Sequence, residues 1–341
     1  MTPLVDLVSG LAPLPPGAPQ LGATILVTPR EPTSNCVVAL LLDARSGTPA
    51  LVVKIPRLAE AEAAIVSEAA TLRTIQARRP TATVPSVVAL ASVEEQMMLI
   101  ESALVGETIS PSELRRHPRR CVDDVLRWLL ELPEPQLEPA RFDVLVESPL
   151  GRFEAALPPH APERSLVGRT LEAVDELRRA TLPAVVEHGD LSHPNLIRLR
   201  DGRVAVVDWE LADTAGLPAT DLCFFLGYVA TKVRRARSPR RLAAAFDEAF
   251  AAPDGWARPA LLAYARHVGL EPSLLSPLLV ATWARYAARF VARVEGAAAA
   301  LADSREGGGV SRVALAAIRE SPHRVLWEHA LEARPHFGDG P

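Results

Sequence analysis

One hairpin near the middle of the chain constrains the fold more than any other feature. Two apolar-rich runs, Leu196 to Arg200 and Arg203 to Val207, are separated only by Asp201-Gly202, a dipeptide typical of a two-residue β-turn. The spacing predicts that Asn195 and Asp208 lie at the two open ends of this hairpin. Because antiparallel strands lie about 4.8 Å apart, side-chain oxygens from both ends would come close enough to share one cation.

A third polar residue, Asp190, precedes the hairpin on a segment that Gly189 and Pro194 keep from becoming helix. Together with Asn195 and Asp208 it supplies what phosphoryl transfer needs. One carboxylate receives the proton of the acceptor hydroxyl, while an amide oxygen and a second carboxylate hold Mg²⁺ against nucleotide phosphates. An ordinary hairpin beside a polar loop is the simpler interpretation, but it leaves the joint match of residue types and spacings unexplained.

The sequence His-Gly-Asp-Leu-Ser-His-Pro-Asn, followed by Asp-Trp-Glu, resembles the aminoglycoside phosphotransferase and choline kinase family, relatives of the protein kinases. The resemblance implies that Asp190 is the catalytic base and that Asn195 and Asp208 bind Mg²⁺. It also implies that ATP, with GTP as the alternative, donates the phosphate. His188 and Asp221 are expected to support the loop that carries the base.

The same resemblance implies an α+β, protein-kinase-like, two-lobed fold with a small antiparallel-sheet N-lobe and a mainly helical C-lobe. Residues 1–21 are expected to be a proline-rich lead-in with little regular structure. Residues 22–103 would form the nucleotide-binding N-lobe and residues 104–341 the C-lobe. Within the C-lobe, the catalytic loop would lie at 185–210 and a helical region that binds the acceptor at 222–341.

Lys54 ends a predicted strand, Leu-Val-Val-Lys, from which a kinase lysine reaches the α and β phosphates. The resemblance implies that Glu68, on the following predicted helix, pairs with this lysine. Glu60 and Glu62 remain alternatives on the same helix.

Two further nucleotide contacts are expected in the N-lobe. The first turn contains no glycine and so lacks a Gly-rich phosphate loop, but the resemblance implies that Ser34 and Asn35 contact the phosphates. A plain hairpin turn is the alternative there. The run from Met97 to Gly106 resembles the family hinge, where backbone groups near Glu101 and Ala103 would hold the adenine.

The scarcity of lysine and asparagine supports three of these assignments. Of 37 basic residues only Lys54 and Lys232 are lysine, and the only asparagines are Asn35 and Asn195. A chain so biased toward arginine retains lysine where its particular chemistry is needed, because arginine is longer, planar and forked. Chance survival is the alternative for any one of these residues.

Length and composition exclude several classes of protein. The 341 residues suffice for two domains with a sizeable core, and 48% hydrophobic with 23% charged residues is ordinary for a globular protein. No secretory signal and no long uncharged apolar run are evident, so a cytoplasmic protein without a membrane span is expected. The three cysteines, Cys36, Cys121 and Cys223, lack metal-ligand spacing and are expected to be reduced. No nucleic-acid partner is expected.

The C-lobe is predicted to be helical. Pro111 to Leu132 has the spacing of one amphipathic helix, and a short helix is possible near Leu150 to Leu157. Farther along, Trp283, Tyr286 and Phe290 are spaced three and four apart, which is more typical of a buried helix face than of a ligand-binding box.

These features predict a Mg²⁺-dependent enzyme that moves the γ-phosphate of a nucleoside triphosphate to a hydroxyl of a small molecule. Only twelve residues lie between Asp208 and Asp221, too few for the activation segment of a protein kinase. A kinase for Ser or Thr of a natural-product precursor peptide is one alternative. A non-catalytic kinase-like scaffold is another, disfavoured because the base and metal positions are all present.

Charge indicates the kind of acceptor. Residues 222–341 carry 16 Lys and Arg against 11 Asp and Glu, and six of the basic residues fall between Lys232 and Arg241. A basic region repels a polycation. A neutral or anionic, sugar-like acceptor is therefore expected rather than an aminoglycoside, although the basic run could also be a solvated surface.

Overall fold

The computed structural model describes residues 4–11, 20–27, 36–57, 60–93, 95–301 and 312–338. The chain divides into two compact units. The first comprises Met1–Ile109, Glu131–Pro133 and His193–Asp213, and the second comprises Ser110–Leu130, Glu134–Ser192 and Thr214–Pro341.

The strands, in chain order, are β1 Leu21–Val27, β2 Cys36–Asp43, β3 Pro49–Pro56, β4 Val87–Val93, β5 Gln96–Ser102, β6 Gly106–Thr108, β7 Gln136–Pro139, β8 Pro183–Glu187, β9 Leu196–Leu199, β10 Val204–Val206 and β11 Asp213–Gly216. The α-helices are α1 Leu4–Leu11, α2 Glu60–Arg78, α3 Pro111–Arg116, α4 Pro118–Leu130, α5 Ser148–Ala156, α6 Glu163–Ala173, α7 Asp175–Arg179, α8 Thr220–Val233, α9 Pro239–Phe246, α10 Arg258–Val268, α11 Leu275–Leu301, α12 Arg312–Glu320 and α13 Pro322–Ala333.

The first unit contains a five-stranded antiparallel sheet with strand order β1-β2-β3-β5-β4. Along β5, side chains alternate between the two faces. On one face Met98 and Ile100 pack in a cluster with Val8 of α1, and on the other Leu99 packs with Ile65 of α2. Both faces of the sheet are therefore covered by helix.

Helix α1 corrects one expectation. Little regular structure is expected in residues 1–21, yet Leu4–Leu11 are helical. The prolines that suggested an irregular lead-in (Pro13, Pro15, Pro16 and Pro19) lie beyond the last helical residue and do not interrupt it. Val8 is fully buried against the sheet, so tertiary packing stabilises a helix that would be too short to persist alone.

The hairpin predicted around Asp201-Gly202 is confirmed. Strands β9 and β10 pair antiparallel, with Leu196 opposite Val206 and Arg198 opposite Val204. Gly202 in the turn has φ of 87°, a conformation that glycine adopts without strain. Strand β6 pairs with the other edge of β9, which gives a three-stranded sheet of order β10-β9-β6.

The second unit is mainly helical. Helix α11 packs against α5, α6, α8, α12 and α13, and a small sheet of order β11-β8-β7 lies in the same unit. The antiparallel sheets and the helical second unit confirm the α+β class. Among the described helices, none is both long and apolar enough to cross a bilayer.

The single helix predicted over residues 111–132 is instead two helices, α3 and α4, separated at His117. Pro118 is the reason, because proline has no N–H to donate and its ring is accommodated at the first position of a helix. The short helix near Leu150 to Leu157 is confirmed as α5.

The three cysteines Cys36, Cys121 and Cys223 are all buried. Burial is the main cause that raises the pKa of the Cys36 thiol, and likewise that of Cys223, to about 12. Their environment therefore keeps these two thiols protonated at neutral pH.

Candidate active site

Lys54 of β3 forms a buried ion pair with Glu68 of α2. The distance from Lys54 Nζ to Glu68 Oε1 is 2.5 Å, and a second carboxylate, Asp208 Oδ1, lies 3.3 Å from the same nitrogen. Burial alone would lower the pKa of Lys54, but Glu68, Glu101 and Asp208 raise it above its ordinary value. The lysine therefore remains an ammonium group although it is almost fully buried.

Glu68 also fixes the backbone next to Asp208. Its Oε1 accepts a hydrogen bond from the backbone N–H of Trp209 at 2.7 Å. Asp208 itself has φ of 69°, an uncommon conformation for a residue with a side chain, which such a bond helps to maintain. The Asp208 side chain is 46% exposed, so its carboxylate can still accept a further ligand.

Asn195 lies at the open end of the hairpin that carries Asp208. The carbonyl oxygen of Asn195 accepts a hydrogen bond from the N–H of Val207 at 3.0 Å, directly before Asp208. The two side chains offer an amide oxygen and a carboxylate, the hard oxygen ligands that Mg²⁺ prefers. Within the described ranges, no group of three or more His, Cys, Asp and Glu side chains could hold a metal alone. These two residues suit Mg²⁺ if phosphate and water oxygens complete its coordination.

In the second unit, Asp190 follows β8 on a loop that Asp221 holds. Asp221, in the first turn of α8, accepts hydrogen bonds from the backbone N–H of His188 at 2.6 Å and of Gly189 at 2.9 Å. The N–H of Asp190 in turn donates to His188 Nδ1 at 3.2 Å. Burial, followed by the nearby carboxylate of Glu187, raises the pKa of Asp221 to about 7.

Two arginines of α11 contact the same loop, and neither belongs to the motif that predicts the site. Arg285 Nη2 lies 3.0 Å from Glu187 Oε1, and Arg289 Nη2 lies 3.4 Å from that oxygen. Arg289 Nη1 donates to the carbonyl oxygen of Gly189 at 3.2 Å. Burial would raise the pKa of Glu187, but the two guanidinium groups hold it below its ordinary value. Ion pairs thus fix the C-terminal end of β8, three residues before Asp190.

Two sequence signals could have identified this network. Glu187 follows Val185 and Val186 in a buried strand, and a carboxylate in such a position needs a partner. Arg285 and Arg289 are four residues apart, hence on one face of a largely apolar helix.

The adenine contacts expected from backbone groups near Glu101 and Ala103 stay a prediction. Glu101 is buried in β5, and burial raises its pKa to about 7 while Lys54 opposes the rise. The N–H of Ser102 donates to Ser86 and that of Ala103 donates to Ala50. These two N–H groups are therefore already paired within the protein.

The remaining predicted phosphate contacts, Ser34 and Asn35, lie outside the described residues. The predicted base, Asp190, belongs to the second unit. The predicted metal ligands, Asn195 and Asp208, belong to the first unit, as do Lys54 and Glu68.

Comparisons with known proteins agree with this description of the fold. The model of the phosphotransferase enzyme family matches residues 28–262 of the chain. The gentamicin complex of APH(2")-IIa is similar in structure, with a TM-score of 0.55 and 13% identity over 96% of this chain and 99% of that chain. Choline kinase LicA from Streptococcus pneumoniae has a TM-score of 0.53 and 11% identity over 96% of both chains.

A third similar structure is macrolide 2'-phosphotransferase MphH from Brachybacterium faecium, with a TM-score of 0.51 and 20% identity over 89% of this chain and 98% of that chain. No curated protein sequence matches the chain significantly. At these identities the structural likenesses establish a protein-kinase-like fold and no more. Because the family model spans well over half of the sequence, the chain belongs to the phosphotransferase enzyme family.

Proposed function

We propose that the protein transfers the γ-phosphate of ATP, or alternatively GTP, to a hydroxyl of a small molecule in the presence of Mg²⁺. The observation that carries this proposal is the charge arrangement around Lys54, whose ammonium contacts Glu68 and Asp208 within the first unit. In this arrangement the Lys54 ammonium can bind nucleotide phosphates, and the partly exposed Asp208 carboxylate can bind the metal ion that those phosphates carry.

Each residue has a distinct role in this reaction. Lys54 binds the α and β phosphates, and Asn195 and Asp208 hold the metal, which when bound neutralises charge on the phosphate oxygens. Asp190 accepts the proton of the acceptor hydroxyl while the hydroxyl oxygen forms a bond to the γ-phosphorus. The bond between the γ-phosphorus and the oxygen of the nucleoside diphosphate breaks in the same transfer. His188 and Asp221 keep the backbone on either side of Gly189 in place.

The acceptor is proposed to be neutral or anionic and sugar-like rather than a polycation. The excess of basic over acidic residues in 222–341 supports this class. The buried cysteines and the proposed use of a nucleoside triphosphate support a cytoplasmic location.

Consumption of MgATP and of MgGTP in the presence of sugars, aminoglycosides, amino alcohols and Ser/Thr peptides tests the proposal. We expect formation of nucleoside diphosphate that is stimulated by a small-molecule hydroxyl, abolished by chelation of Mg²⁺ and lost in Asp190→Asn. Stimulation by peptides alone would favour the peptide kinase. Nucleotide binding without turnover of any acceptor or of water would favour a non-catalytic scaffold.

A further inference from the structure

A cleft of about 770 Å³ lies in the second unit, between α4, α8, the segment that follows α9, and α10. This volume is within the range of small-molecule pockets, which extends from roughly 300 to 1,000 Å³. The described residues that line the cleft all belong to the second unit, and most of them are apolar. The cleft is therefore formed within one unit.

The cleft lies on the side of α8 that faces away from the proposed base. Ala230, Val233 and Arg234 line it, at the spacing of three and four residues that keeps side chains on one face of a helix. Asp221, which holds the loop of Asp190, precedes Ala230 by nine residues. Nine residues are about two and a half helical turns, so Asp221 and Ala230 lie on opposite faces of α8. The cleft is thus separate from the loop that carries the proposed base.

Small side chains leave this cleft open. Ala230 of α8, Ala245 of α9 and Ala260 of α10 all line it, and all three are buried. Because an alanine side chain ends at Cβ, these positions contribute little volume to the space between the helices. Val233, which also lines the cleft, is 37% exposed although its side chain is apolar. A ligand with an apolar body would cover this surface and bind through the hydrophobic effect.

The segment between α9 and α10 forms a rigid wall that carries Trp256. The N–H of Gly255 donates to the carbonyl oxygen of Ala252 at 2.9 Å, and that of Ala257 donates to the carbonyl oxygen of Ala249 at 3.1 Å. A Cβ added at Gly255 would lie 2.6 Å from the same Ala249 oxygen, so this close approach of the backbone requires glycine. Trp256 follows directly, lines the cleft and is partly exposed.

The charged residues of the lining carry an excess of negative charge. The guanidinium of Arg234 is paired with the carboxylate of Glu248 at 2.5 Å, so these two charges offset each other. Asp123 of α4 and Asp254 form no ion pair within the described part of the chain, and neither does Arg119. Two carboxylates therefore remain against one guanidinium, and the cleft favours a cation.

We propose that this cleft binds a small organic cation, an amine with an apolar body, at a site separate from that of the phosphate acceptor. The apolar body covers Val233 and the alanines, and the ammonium group is attracted by Asp123 and Asp254. The indole of Trp256 adds to the preference, because the face of an indole ring attracts a cation. The inference goes beyond the proposed function and does not depend on it.

Three probes with similar carbon skeletons and different charge test this inference. They are phenethylamine, phenethyl alcohol and phenylacetate, which carry an ammonium, a hydroxyl and a carboxylate. We would measure the Kd of each probe for the full-length protein by calorimetry, without nucleotide, so that no phosphoryl transfer takes place. We expect the amine to bind about tenfold or more tightly than the alcohol, and the carboxylate to bind least tightly.

The fluorescence of Trp256 gives a second readout. All five tryptophans lie within the described residues, and the other four are buried: Trp128, Trp209, Trp283 and Trp327. A dissolved quencher such as acrylamide therefore acts mainly on Trp256. Phenethylamine should protect this fluorescence with the Kd that calorimetry gives, and Trp256→Phe should abolish the protection.

Variants of the two unpaired carboxylates assign the preference to the cleft. Asp123→Asn combined with Asp254→Asn keeps the shape of both side chains and should lower the affinity ratio of amine to alcohol by about tenfold. Glu172→Gln combined with Glu176→Gln removes two exposed carboxylates of the same unit that do not line the cleft. This matched control should leave the ratio within about twofold. Asp254→Lys makes the excess charge positive and should reverse the order in favour of phenylacetate, a gain that misfolding cannot produce.

Asp190→Asn distinguishes this cleft from the acceptor site. An amine bound beside the proposed base would lose affinity when that carboxylate is removed, whereas an amine bound in the cleft should keep its Kd within about twofold. Four outcomes would overturn the inference: no saturable binding of any probe, an alcohol or carboxylate bound as tightly as the amine, a variant of Asp123 and Asp254 that matches its control, or weaker amine binding in Asp190→Asn. Since every measurement is made without nucleotide, none of these outcomes contradicts the proposed phosphoryl transfer.

Discussion

Arg289 donates a hydrogen bond to the carbonyl oxygen of Gly189 at 3.2 Å, across 100 residues of sequence. The same guanidinium lies 3.4 Å from Glu187, so a single side chain of α11 contacts both residues that flank His188. Asp221 holds the same loop through the N–H groups of His188 and Gly189. The residue before Asp190 is therefore fixed through both its N–H and its carbonyl group.

Removal of the Arg289 contact should impair catalysis more than nucleotide binding. We expect Arg289→Met to lower kcat by about tenfold, because a small displacement of a catalytic group is enough for such a loss. The KM for nucleotide should change little, since Lys54 and Asp208 belong to the first unit. Arg289→Lys should recover part of kcat because it keeps the charge. A proportional rise in the nucleotide KM would show a general structural defect instead.

The buried pair between Arg285 and Glu187 should dominate the stability of the loop. Arg285→Met leaves a buried carboxylate with only one cation, which we expect to lower the free energy of unfolding by about 3–5 kcal/mol. Arg179→Met breaks an exposed pair with Asp175 and should cost less than about 1 kcal/mol. Urea denaturation of both variants measures their free energies of unfolding. Equal losses of free energy in the two variants would contradict the dominant role of the Arg285–Glu187 pair.

Substitution of the proposed base and substitution of the proposed metal ligand should impair different steps. Asp190→Asn keeps the shape of the side chain but cannot accept a proton, so turnover should fall by about 10²-fold or more while nucleotide affinity stays near normal. Asp208→Asn should instead weaken Mg²⁺-dependent nucleotide binding. Nucleotide titrations with and without Mg²⁺, combined with turnover measurements, distinguish the two. Wild-type turnover in both variants would refute the roles assigned to them.

Lys54→Arg should not be a conservative change. The Lys54 ammonium occupies a buried position 2.5 Å from Glu68, and the longer, planar guanidinium cannot replace it without moving α2 or Asp208. We expect reduced nucleotide affinity or turnover. Arg73→Lys, the reverse exchange on the exposed side of α2, is the control and should have no effect. If the two variants behave alike, the scarcity of lysine in this chain carries no information.

Stability should depend on pH through Glu101. Burial raises the pKa of this carboxyl from its ordinary value of 4.5 to about 7. Between these values the folded state binds more protons than the unfolded state, so the contribution of Glu101 to stability decreases as pH rises through this window. We expect Glu101→Gln to flatten the fall in unfolding free energy between about pH 4.5 and 7. Parallel curves for wild type and variant would exclude Glu101 as the cause.

The sequence predicted local features well. The Asp201-Gly202 turn and its flanking apolar runs identified the β9–β10 hairpin because turn type and strand register depend on adjacent residues. The helix expected over residues 111–132 is instead divided at Pro118, which is also a local signal, because proline favours the first position of a new helix.

Contacts between distant residues were not predictable in this way. The Arg285 and Glu187 pair joins residues 98 positions apart, and neither residue belongs to the motif that indicated the family. Spacing shows that an arginine lies on a helix face, but not which buried carboxylate that face will meet.

The burial of Cys36, Cys121 and Cys223 makes thiol chemistry a reporter on unfolding. Alkylating reagents attack the thiolate, and burial keeps the pKa of Cys36 and of Cys223 at about 12. Cys36 lies in the sheet of the first unit, whereas Cys121 and Cys223 lie in α4 and α8 of the second. Mass spectrometry after a brief pulse of iodoacetamide would therefore record when each unit opens, separately and without any engineered probe.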